Sequence, residues 1–173
     1  MRINANARQH HRLLCRKKET KAMNITIPYS EPLERCKMLS AFEARESTNG
    51  ADLYDSVRIT QKDEQAIRAY IVQAAELLEA RIGIVLEEEG DYSNANQVTW
   101  NVHEDAARRS TGATGKSFVK SAQEAMVAFA MSRWLETKVQ QSSASYKGMW
   151  ADLSEAAVRI IKTKRKPTRP SER

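Results

Sequence analysis

Residues 60–83 read TQKDEQAIRAYIVQAAELLEARIG, and the spacing of their apolar side chains predicts one amphipathic helix. Ile67, Ile71, Ala74, Leu78 and Ile82 recur at steps of four, three, four and four, which places them on a single face. Arg68, Gln73, Glu76 and Glu79 fall on flanks expected to stay wet. Both ends carry signals. Thr60 is suited to accept a backbone N–H as N-cap, Asp63 and Glu64 sit where the helix dipole favours anions, and Gly83 is suited to a left-handed C′ position. Burying the large apolar members stabilises by roughly 1.5–3 kcal/mol each, more than helix propensity supplies, so this helix requires a partner surface.

Two further stretches supply partners. Residues 118–139 place Phe118, Ala122, Met126, Phe129 and Trp134 along a face that Ala125, Ala130 and Met131 widen, which implies contact with more than one neighbour. Residues 146–164 form a third long helix on Tyr146, Met149, Trp150, Leu153, Ala157, Ile160 and Ile161, and Pro167 and Pro170 bar its continuation. QQSSAS at 140–145 reads as the connection between them.

The remaining core elements are smaller. In NITIPY (24–29) Ile25, Ile27 and Tyr29 alternate with polar residues, and Pro28 restricts this strand to a sheet edge. Leu33, Cys36, Leu39 and Phe42 step by three along a short helix that Ser30 is suited to cap and that ends near Arg45. STNGADLYD (47–55) reads as a linker. Beyond Gly83 the period changes: Ile84-Val85-Leu86, a turn-rich segment, then Val98, Trp100 and Val102 alternating with Thr99 and Asn101, a hairpin signal. Residues 105–115 read as a loop. The expected fold is mainly α: three long helices packed as a bundle with a short helix, a small β-hairpin and an N-terminal edge strand, between basic flexible termini. Residues 23–164 form the expected single domain, flanked by a disordered basic extension at 1–22 and a basic tail at 165–173. Met23 also opens a stretch with the character of a natural start, which makes residues 1–22 an upstream extension on one reading.

Composition excludes several classes. The 173 residues are 29% charged, and no apolar run approaches the roughly 18 residues that span a bilayer. The N-terminus lacks the apolar centre of a secretory signal, so a cytoplasmic site of synthesis is expected. Cys15 and Cys36 are too few for a disulfide framework. The net charge of +6 is concentrated at the ends: residues 1–22 hold seven Lys and Arg against Glu19, and residues 162–173 hold six against Glu172, which leaves the middle mildly acidic.

Candidate chemistry is sparse. Gly115-Lys116-Ser117 matches the end of a phosphate-binding G-x-x-x-x-G-K-[ST] loop, but residue 110 is Ser110 where the first glycine belongs, and no strand leads directly into it. His103-Glu104 starts like a zinc-protease helix, but Ala107 occupies the second histidine position. His10, His11 and Cys15 lack a fourth ligand. Glu87, Glu88, Glu89 and Asp91 read as solvated charge at a turn without calcium-loop spacing. Trp100, Trp134 and Trp150 each fall on an apolar face and are assigned to the core. No catalytic residue, metal site or cofactor is expected. Lys162, Lys164, Arg165 and Lys166 remain as candidate phosphate or DNA contacts, weighed against the simpler role of basic residues that complement a helix C-terminus.

The pattern Ile59-Thr60-x-x-Asp63-Glu64-x-x-Ile67-x-x-Tyr70-Ile71-x-x-Ala74-x-x-x-Leu78-Glu79-x-x-Ile82-Gly83, followed by irregular or β structure and two helices, resembles the head-to-tail connector (adaptor) proteins of tailed bacteriophages. The strand 98–102 and the later AMVAFAMSRWLETK (125–138) are similar to small structural proteins in phages of gut Bacteroidetes. The resemblance covers about residues 23–165 and is one of pattern and order. It implies a noncatalytic, ring-forming virion subunit beneath the portal. Its partners would be further copies of itself and the portal and tail proteins, with nonspecific DNA contact through the tail and no membrane. It would reside in the virion, and in the host cytoplasm during assembly. The alternative is a small nucleic-acid-binding protein that uses its basic termini.

Overall fold

The structure, a computed structural model, describes residues 23–46, 51–83, 86, 89–94, 96–102 and 113–162. The chain is mainly helical with a small antiparallel sheet. In order, strand β1 (Met23–Pro28) is followed by helix α1 (Ser30–Glu46), short helix α2 (Ala51–Val57), a 3₁₀ turn (Gln61–Asp63), helix α3 (Glu64–Ile82), strand β2 (Gln97–Val102), helix α4 (Ala113–Leu135) and helix α5 (Gln140–Lys162).

Helix α4 is the centre of the packing. Every residue from 125 to 132 is buried, because α1, α3 and α5 all pack against this helix. The breadth of its apolar surface, read from Ala125, Ala130 and Met131, thus has a structural cause. The five apolar face residues of α3, Ile67, Ile71, Ala74, Leu78 and Ile82, are all fully buried, with Ala75 beside them.

Both strands are set by alternation. Ile25 lies opposite Trp100 and Ile27 opposite Val98, and these four turn to the core. Thr26 and Thr99 pair on the outer face, with their hydroxyls 3.3 Å apart. β1 is an edge, as Pro28 requires. The main ladder joins segments some seventy residues apart in sequence. Among the described residues the local return of the hairpin consists of two single bridges on the other side of β2, Leu86 with Val102 and Asp91 with Thr99.

Several local expectations are corrected. ADLYDSV forms α2, so only residues 47–50 of the expected linker remain, and these lie outside the described residues. QQSSAS is the start of α5, and the connection is the preceding 136–139. Residues 113–115, expected in the loop, begin α4. Gly83 ends α3 in right-handed geometry (φ −37°, ψ −35°), so no left-handed position requires it. At the other end, the Asp63 carboxylate accepts from both the Thr60 N–H (2.9 Å) and the Thr60 hydroxyl (2.7 Å). These bonds hold the Asp63 carboxyl below the usual carboxylate range.

On α1 the buried series is Leu33, Cys36, Ser40 and Ala44, with Leu39 partly buried and Phe42 54% exposed. A run of three-residue steps drifts about 60° per step around a helix, so Phe42 rotates out of the core that Leu33 enters. Steps of three, four and four stay on the face, and Ser40 takes the position because its Oγ accepts the Ile59 N–H at 2.9 Å and donates to the Lys37 carbonyl at 2.9 Å. On α5, Met149 is exposed, and Ser143 and Ser154 are buried.

Among the described residues, no helix is long and apolar enough to cross a membrane.

Candidate functional site

The carboxyl ends of α3 and α5 meet. Lys162, at the end of α5, donates its ammonium to the Arg81 carbonyl at 2.6 Å, one of the carbonyls that the last turn of α3 cannot satisfy internally. A cation at this place also complements the α3 dipole. The Arg81 guanidinium hydrogen-bonds Ser154 Oγ and lies 5.3 Å from the centre of the Trp150 ring. Of the four candidate phosphate contacts, the structure therefore gives Lys162 a helix-capping role, and Lys164, Arg165 and Lys166 lie outside the described residues.

Beside this junction is an open groove of about 430 Å³, lined by Glu76, Glu79, Gly83, Leu86, Glu89 and Tyr92 together with Ala80. Its floor is built on Glu79. That carboxylate accepts from the Gly90 N–H (2.9 Å), the Tyr92 hydroxyl (2.5 Å) and the Trp100 indole N–H (3.1 Å). Sequence periodicity placed Glu79 on a wet flank, yet it ties the segment after α3 to strand β2. Burial and the Glu79 bond push the Tyr92 phenol well above its ordinary range. Tyr29 stands close to the same charges. It is 1% exposed, its hydroxyl has no hydrogen-bond partner among the described residues, and burial plus the fields of Glu76 and Glu79 push its pKa up to about 12. Glu76 and Glu89 line this groove and form no ion pair among the described residues.

Gly90 has a steric reason that the turn signal concealed. A Cβ there would collide with Glu79 Oε2 and stand 2.7 Å from Trp100 Cδ1. Only glycine lets the backbone approach the carboxylate closely enough to donate to it.

The other sequence candidates are dispersed. Gly115, Lys116 and Ser117 lie in the first two turns of α4, while Ser110, Thr111 and Gly112 are outside the described residues. Neither strand of the sheet follows this motif, so neither supplies a metal-binding aspartate after it. His103, Glu104, Glu87 and Glu88, and all of 1–22 with His10, His11 and Cys15, are outside the described residues. Asp91 is occupied by the Ser93 N–H at 2.9 Å. Among the described residues no group of three or more His, Cys, Asp or Glu is arranged to hold a metal. Trp100 is fully buried; Trp134 and Trp150 are partly buried against the core, and Trp134 donates to the Val57 carbonyl at 2.6 Å.

A second open depression lies between α1 and the start of α5. Glu43 there accepts from Ser142 Oγ (2.7 Å) and the Tyr146 hydroxyl (3.2 Å). Lys138 also lines it, with its ammonium over the Trp134 ring.

Comparison with protein-family models, with curated proteins and with solved structures finds no match to this chain.

Proposed function

We propose that this chain is a noncatalytic virion assembly protein, a ring-forming head-to-tail connector subunit that sits beneath a portal. The observation that carries the reading is on α1. Met38 and Phe42, one turn apart, are 53% and 54% exposed, and a side-by-side apolar pair of this size on a charged helix is suited to a protein partner. Leu77 on α3 and Met149 on α5 are also exposed large apolar residues. A ring needs a heterologous contact, one surface of each subunit against a different surface of the next, and apolar residues on separate helices suit that need. The sequence pattern of 59–83 supports the same reading by resemblance.

Electron microscopy of the protein mixed with portal rings tests the proposal. Added density forming a ring below the portal is the expected result, and portals that remain bare at saturating protein would refute it.

The alternative, nucleic-acid binding through the basic ends, has a different signature. It requires DNA binding that weakens steeply with salt and disappears when residues 162–173 are removed. The capping role of Lys162 reduces the number of cations free for that task.

A further inference from the structure

The acidic groove lies at the end of α3 on which the last described residue of α5 rests. Lys162 is the last described residue of α5, and its ammonium rests on Arg81, two residues before the groove-lining Gly83. The eleven residues that follow, 163–173, include Lys164, Arg165, Lys166, Arg169 and Arg173 against a single acid, Glu172. At roughly 3.3 Å per extended residue they can reach at most about 36 Å, several times the spacing of packed helices, which is enough length to pass around the end of α3. Glu76 and Glu89 at the rim are exposed and form no ion pair among the described residues. The Tyr29 hydroxyl, in the field of Glu76 and Glu79, is buried without a hydrogen-bond partner among the described residues. A groove of about 430 Å³ is far larger than a bare cation needs and accommodates several side chains. Among the described residues no metal-holding group of His, Cys, Asp and Glu is present.

We propose that this groove is a binding site for a basic peptide segment and that its occupant is the chain's own tail, residues 163–173, held by Glu76 and Glu89. Tethering favours the tail of the same copy over any other basic segment, because a short linker supplies an effective concentration in the millimolar range. The ion pairs are exposed, so the docking weakens with salt. Tail docking goes beyond the ring reading and does not depend on it. A docked tail is withheld from phosphate, and a released one is not.

The test is zero-length carbodiimide coupling of amines to carboxylates in the full chain at low salt, on an equal mixture of ¹⁴N- and ¹⁵N-labelled copies, read by peptide mass spectrometry. The expected products join Lys164 or Lys166 to Glu76 or Glu89 within one isotope label, and their yield drops several-fold at about 0.5 M salt. Reversing the groove charge with Glu76→Lys and Glu89→Lys removes these products. Adding Lys164→Glu and Lys166→Glu to that variant restores them with the charges exchanged. Both rim residues are exposed, and an unchanged circular dichroism spectrum confirms that the variants fold. Tail lysines coupled only to other carboxylates, or products that mix the labels, would overturn the assignment, the latter by moving the occupant to a second copy.

Discussion

Trp100 donates its indole N–H to Glu79 across 3.1 Å, joining a fully buried ring on β2 to a carboxylate on α3. Gly90 and Tyr92 complete the set of donors. Glu79→Leu strands all three, and each unpaired donor costs about 1–3 kcal/mol, so the loss is expected to exceed about 3 kcal/mol. Glu79→Gln keeps one acceptor oxygen and loses less. Urea denaturation of both variants checks the order, and equal stability for the two would contradict this role for Glu79.

Gly90→Ala acts on the same cluster from the backbone side. The added methyl meets Glu79 Oε2 and the Trp100 ring, which must shift or lose their hydrogen bond. Overpacking of this kind costs typically about 1–3 kcal/mol. Gly83→Ala is the internal control: a Cβ there meets nothing within 4 Å and the backbone is right-handed. Thermal denaturation is expected to lower Tm for the first variant and leave it level or raised for the second.

Cys36 is fully buried, and burial pushes its thiol pKa from 9.0 up to about 12. In a Cys15→Ser background, Cys36 is expected to react with a disulfide reagent at pH 8 only at the rate of unfolding. Reaction as fast as a free thiol would contradict its burial. The same shift sets an alkaline limit. Between pH 9 and about 12 the unfolded thiol ionises while the native thiol stays protonated, so stability falls as pH rises through that window.

Lys138 works in the opposite direction. Burial lowers its pKa from 10.5 to about 8, with Asp63 opposing. Below pH 8 both states are protonated and the native state bears the full cost of a desolvated ammonium. From pH 8 to 10.5 the native amine loses its proton before the unfolded one does, so this group raises stability with pH. Lys138→Met is expected to remove that rise, seen as a stability difference from the parent chain that narrows between pH 8 and 10.5. A difference independent of pH would contradict it.

The helices were legible where apolar spacing alone decides them. Ile67, Ile71, Ala74, Leu78 and Ile82 follow the helical period and are all buried. Legibility failed where polar residues take core positions. Ser40, Ser143 and Ser154 satisfy their hydroxyls on nearby backbone carbonyls, so hydropathy gives no sign of their burial, and Phe42 and Met149 were placed in their stead. Alternation revealed both strands, but no local signal encodes a pairing between segments some seventy residues apart. The groove was the least legible part. Glu79 has the spacing of a solvated flank, and its three donors come from a glycine, a tyrosine and a tryptophan up to twenty-one residues away.

The proposed subunit closes into a ring through side chains that its own core leaves uncovered. Native mass spectrometry of the full chain, alone and with portal rings, measures this most directly. The predicted result is one closed oligomer of fixed copy number bound to the portal, lost when Met38→Glu and Phe42→Glu place charges on the exposed face of α1. A chain that stays monomeric at every concentration with the portal present, or a ring indifferent to those substitutions, would contradict it.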